Sequence, residues 1–110
     1  MTVKELMIGD CVFLDGIKKR LTLWDIVEIS RGNYSSEPIP FTEEILEKIG
    51  FVYDEIADSW YNDRIDNLYE DKNGYYKYVD GYEIRFDSVH KFQQYLRICG
   101  LNDLADNLKV

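Results

Sequence analysis

Histidine occurs once in this 110-residue sequence, and proline and cysteine occur twice each. Cys11 and Cys99 form no C-x-x-C pair. With His90 alone beside them, they fall short of the usual four-ligand zinc set. No apolar run approaches the roughly 20 residues that a membrane span takes. No basic segment leading into an apolar one opens the chain, as it would in a secretory signal. The expectation is a cytoplasmic chain with two free thiols and no membrane partner, because a reducing cytosol disfavours disulfides. The phosphate-loop pattern G-x-x-x-x-G-K-[ST], the dinucleotide pattern G-x-G-x-x-G and the hydrolase elbow G-x-S-x-G are all missing. Asp63, Asp66, Asn67 and Asp71 lack the central glycine and terminal glutamate of a calcium loop. Nor is there a basic stripe of the kind that binds a phosphate backbone, so direct nucleic-acid binding is not expected.

What is abundant is acid and tyrosine. The net charge is −8, apolar residues make up 45% and nine residues are tyrosine. The length and apolar content suit a single compact domain over residues 1–110 with one continuous core. Between residues 54 and 71, Asp54, Glu55, Asp58, Asp63, Asp66, Glu70 and Asp71 face Arg64 as the one basic residue, a net −6 of that −8. Such a run reads first as a solubilising face and second as an attractor for a basic partner.

The first third reads as β structure. Gly9-Asp10 and Asp15-Gly16 are turn signals among Leu6, Ile8, Val12, Phe13 and Leu14. Leu21, Leu23, Trp24, Ile26, Val27 and Ile29 are β-favouring and read as further strand. The arrangement resembles the opening of a small SH3-like barrel. Ser30, Gly32, Asn33, Ser35, Ser36, Pro38 and Pro40 mark a loop, here read as a joint between subdomains 1–37 and 38–110.

A short helix follows. Thr42 suits an N-cap, Glu43 and Glu44 suit the positive end of the dipole, Ile45, Leu46 and Ile49 form the stripe, and Gly50 suits the stop. Residues 52–71 fit two patterns. Ile56, Ala57, Trp60, Tyr61, Ile65, Leu68 and Tyr69 recur at helical spacing, yet Asp, Asn, Ser and Tyr are mediocre helix formers. The reading adopted is helix over 55–62 and strand over 65–71, with Asn73-Gly74 closing a hairpin that pairs Tyr69 with Tyr78. Asp80-Gly81 closes another, pairing Val79 with Tyr82, Lys77 with Ile84 and Tyr75 with Phe86. Ser88 caps a last helix, whose stripe is Val89, Phe92, Leu96 and Cys99, ended by Gly100. Leu101, Leu104, Ala105 and Leu108 form a further turn of helix. The fold class is therefore α+β: an N-terminal antiparallel β unit, a short helix, antiparallel hairpins and a C-terminal helix.

The stretch from Ile39 through Phe51, with Val89-His90-Lys91-Phe92-Gln93, resembles short uncharacterised proteins of gut Bacteroidetes and their prophages. Phe92 stands where that family's Val-His-x-Leu-Gln signature has leucine. Val3–Leu6, Ile8–Asp10, Arg97–Leu101 and Leu104–Asn107 fit the same set, whereas residues 52–75 lie outside the likeness. The resemblance implies a bacterial, non-secreted protein carried on a mobile element, and it brings no activity or site residue with it.

His90 admits two readings, a proton-handling or ligand-facing side chain and a structural hydrogen bond at a helix start. It has no placed Ser or Cys nucleophile beside it, so the expectation is no enzyme, no catalytic residue, no metal and no cofactor. The hairpin register puts Tyr76 and Tyr78 on the face that carries Glu83 and Arg85. Tyr is enriched at protein contact hot spots, so these four residues are the candidate protein contact. A protein partner or self-association is the leading functional reading. An acidic nucleic-acid mimic that occupies a basic site on a host protein is the alternative.

Overall fold

The structure, a computed structural model, describes residues 3–110. After a 3₁₀ turn at Val3–Glu5 come strands β1 (Cys11–Leu14) and β2 (Ile17–Arg20), helix α1 (Leu23–Ser30) and strand β3 (Ser36–Pro38). Helix α2 (Glu43–Ile49) precedes five strands: β4 (Val52–Asp54), β5 (Ser59–Asn62), β6 (Asp66–Asp71), β7 (Gly74–Val79) and β8 (Tyr82–Phe86). Helices α3 (Val89–Ile98) and α4 (Asn102–Asp106) close the chain. The antiparallel sheets and separate helices make it α+β.

The chain divides into two compact units, one of residues 3–40 with Ser88–Leu108 and one of Phe41–Asp87. This is not the division into 1–37 and 38–110: the last two helices join the first unit. The physical reason is a set of polar contacts that the spacing of apolar residues does not reveal. Gln93 Oε1 accepts from the Cys11 amide at 2.7 Å, while Gln93 Nε2 donates to the Gly9 and Ala105 carbonyls, each at 3.0 Å. Arg97 Nη1 lies 2.6 Å from Asp10 Oδ1.

In the first unit the strand order is β2-β1-β3. The Asp15-Gly16 turn joins β1 to β2 with both residues at positive φ, as the tight hairpin requires. Val12 and Leu14 pack with Leu6 and Leu21, and Ile26, Ile29 and Tyr34 rest against that cluster. Residues 23–30 are a helix and not the strand of an SH3-like barrel. Thr22 decides this: its Oγ1 accepts from the Asp25 amide, and Asp25 Oδ2 accepts from the Thr22 amide at 2.9 Å. Such a box satisfies two helix-end donors and contributes about 1 kcal/mol. Asp25 is 1% exposed. Burial works to raise its pKa, but the hydrogen bonds from Lys19 and Thr22 outweigh burial and hold the carboxyl below its ordinary value.

The second unit is an antiparallel meander in the order β4-β5-β6-β7-β8, with α2 before it. Thr42 caps α2 as expected, and Gly50 ends it at φ 105°, with the Phe51 amide donating to the Leu46 carbonyl. Gly100 ends α3 in the same way, at φ 78°. The helix expected over 55–62 is a tight turn followed by β5. Asp54 Oδ1 accepts from the amides of Ile56 and Ala57, and Asp58 sits at φ 50°, so the backbone reverses instead of winding on. The β7–β8 register is the expected one. The β6–β7 hairpin turns one residue earlier than expected, pairing Tyr69 with Tyr76 and Asp71 with Gly74. Asp71 Oδ1 takes the Asn73 amide at 2.9 Å and fixes the turn at Lys72-Asn73.

Both cysteines are free, Cys11 buried and Cys99 exposed. Cys99 therefore leaves the buried stripe on which its spacing placed it, because α3 has ended at Ile98. Burial pushes the Cys11 thiol up. A thiol reagent added to the native protein at neutral pH should label Cys99 promptly and Cys11 only on unfolding, as peptide mass mapping would read. Equal labelling of the two in the native state would contradict this packing.

Candidate protein-contact face

Strand alternation separates the tyrosines of β7. Tyr75 is buried, and its ring packs at 5.5 Å from Phe41, which also meets Phe86 at 6.3 Å. Burial first, and then the charges of Glu70 and Glu43, push the Tyr75 hydroxyl up to about 12. Tyr76 and Tyr78 take the opposite face. Tyr76 is half-buried and Tyr78 is 58% exposed.

The register sets Tyr76 beside Arg85 and Tyr78 beside Glu83. Arg85 grips Asp71 with both terminal nitrogens, at 3.1 and 2.6 Å, and its Nε lies 3.2 Å from Glu83 Oε2. The guanidinium carbon stands 5.0 Å from the centre of the Tyr76 ring. Tyr69 stacks on the other side of Tyr76 at 5.7 Å, and Tyr78 meets Tyr76 edge-on at 5.7 Å. The four residues singled out from the sequence are thus on one face, joined by Asp71 and by Tyr69, which the expected hairpin paired with Tyr78 on that same face. The shifted hairpin is why Tyr69 lies beside Tyr76. Its parity was legible all along, because moving the register by two partners keeps the same face.

The arrangement offers aromatic edges and hydroxyls, with the Tyr76 ring held against a planar cation. Arg85 is saturated by two carboxylates and a ring, so its charge is spent within the face and not held out for an anion. Tyr61 and Val52 carry the same side of the sheet across β5 and β4, both exposed. All seven acidic residues between 54 and 71 are exposed. His90, in the first turn of α3, is 2% exposed, which takes it away from open solvent. Among the described residues, no group of three or more His, Cys, Asp or Glu is placed to hold a metal ion. No described helix is long and apolar enough to cross a membrane.

No family model matches the chain, and no curated protein or solved structure is significantly similar to it.

The hydrogen bonds from Arg85, with help from the Asn73 amide, hold the Asp71 carboxyl down at about 2. A carboxyl group that is lowered on folding stabilises above its unfolded pKa of roughly 3.9. That contribution fades as the pH falls from there through about 2. Side-chain carboxyl NMR should find Asp71 titrating near this low value, and Arg85→Ala should move it up toward the ordinary range. An ordinary Asp71 titration in the wild type would show that the bidentate pair does not hold in solution.

Proposed function

We propose that the chain is a non-catalytic protein-interaction module whose contact surface is the face around Tyr76 and Tyr78. The observation that carries this reading is a set of three tyrosines, with Tyr76 in ring contact with both Tyr69 and Tyr78, on a side of the sheet where Tyr78 remains 58% exposed. Tyr brings a large contact area at a small entropic cost, and a single desolvated Tyr can contribute a hot spot of about 2 kcal/mol. Arg85 holds the Tyr76 ring in place before any partner arrives, which reduces the ordering cost of binding. The exposed acids beside the face attract a basic partner surface and speed encounter. The likeness of the Ile39–Phe51 and Val89–Gln93 segments to short Bacteroidetes and prophage proteins adds a bacterial or mobile-element origin to the proposal.

An acidic nucleic-acid mimic is the weaker reading. Such a mimic needs carboxylates that stay unneutralised, whereas Asp71 and Glu83 are both engaged by Arg85.

The test is the double substitution Tyr76→Ala with Tyr78→Ala, in a protein shown by circular dichroism and melting to remain folded. Quantitative mass spectrometry of proteins captured from the source organism should show a partner enriched on the wild type and lost on the variant. Identical capture by the two proteins would exclude this face.

A further inference from the structure

The other end of the same sheet carries a second surface. Strand β4 is three residues long and lies at the edge opposite β8. An edge strand turns half of its amide and carbonyl groups outward, where another chain can pair with them. Beside it, Val52, Tyr53, Asp54, Glu55, Ile56 and Tyr61 line an open groove of about 470 Å³. Ile56 is fully exposed and Val52 is 69% exposed, so the groove is lined by apolar side chains open to water. Asp54 Oδ1 accepts from the Ile56 and Ala57 amides, and the Tyr53 hydroxyl donates to Asp58. The apolar tip is therefore held in place by its own turn.

The carboxylates of this hairpin are Asp54, Glu55 and Asp58, with no basic residue between Phe51 and Asp63. The hydrogen bond to Asp58, then burial, then the charges of Asp58, Glu55 and Glu70 raise the Tyr53 hydroxyl. An edge that offers backbone pairing, apolar seats and one sign of charge fits a ligand with the complementary three features.

We propose that β4 accepts an added strand from a basic extended peptide of a partner protein, with apolar residues seated on Val52 and Ile56 and flanking lysines or arginines facing Asp54, Glu55 and Asp58. This is the strand-addition mode of peptide recognition, in which backbone pairing gives affinity and side-chain seats give selectivity. Strand β4 lies three strands from β7, about 14 Å at the usual spacing. The site therefore goes beyond the Tyr76–Tyr78 face and can fail or hold independently of it.

The probe is a fluorescent eight-residue peptide of alternating lysine and valine, followed by anisotropy and by amide NMR on the full chain. Binding that weakens with salt is expected, with shifts concentrated at residues 52–56 and 59–61. Ile56→Ser, at a residue outside the core, should weaken it by about tenfold, and so should a central proline in the peptide. Tyr76→Ala with Tyr78→Ala should leave it unchanged. The proposal is overturned by no binding, by shifts centred elsewhere, by equal binding of the proline peptide, or by an unaffected Ile56→Ser variant. Concentration-dependent self-association that Ile56→Ser abolishes, without peptide binding, would assign the edge to a second copy of this chain and also overturn it.

Discussion

Asp10 is fully buried, and a buried carboxylate is tolerable only when its charge and lone pairs are met. Here Arg97 Nη1 lies 2.6 Å from Oδ1, and Oδ2 accepts from Gln94 Nε2 and from the Met7 amide, each at 2.9 Å. These partners come from opposite ends of the chain, so meeting the charge joins α3 to the segment that leads into β1. Gln93 and Arg20 extend the arrangement. Gln93 bonds Gly9, Cys11 and Ala105, and Arg20 reaches the Gly9, Ala105 and Leu108 carbonyls. These bonds tie the last two helices to the segments around the first two strands, and so make the first unit continuous in space.

That closure makes the sheet unit an insertion in the chain. Pro40 bridges Ser88, and the Val89 amide donates to the Ile39 carbonyl at 2.9 Å, so the two ends of the inserted segment stay together. A meander of short hairpins is a natural occupant of such a span, since each strand pairs with the next and little loop entropy is lost. One side of the meander carries the buried Trp60, Leu68, Tyr75 and Phe86, and the other carries the tyrosine ladder. The alternation that fills the core thus also presents the face proposed for binding.

Much of this was legible in the sequence, because two-residue turns and period-2 alternation are local. Asp80-Gly81 fixed the register of β7 with β8, and with it the common face of Tyr76, Tyr78, Glu83 and Arg85. Thr42 and Gly50 bounded α2 for the same reason. Helix α1 was misread because a dense apolar run at 21–29 hid the Thr22–Asp25 box, a helix start that apolar counting does not weigh. The stripe through Ile56 and Tyr61 was misread in the other direction, since Asp54 and Asp58 turn the backbone at a point where spacing alone allows a helix. The grouping of α3 with β1 rests on contacts between residues more than eighty positions apart, and no local pattern carries such information.

The central claim is that the Asp10–Arg97 pair holds the two ends of the chain in one unit, and a double-mutant cycle on stability tests it most directly. Asp10→Ala and Arg97→Ala should each cost about 3–5 kcal/mol in denaturant unfolding, because the first leaves the mostly buried Arg97 only the exposed Asp106 at 3.6 Å and the second leaves Asp10 buried without a cation. The double variant should cost less than their sum by at least about 1.5 kcal/mol. Additive losses, or single losses below about 1 kcal/mol as for an exposed ion pair, would contradict the account.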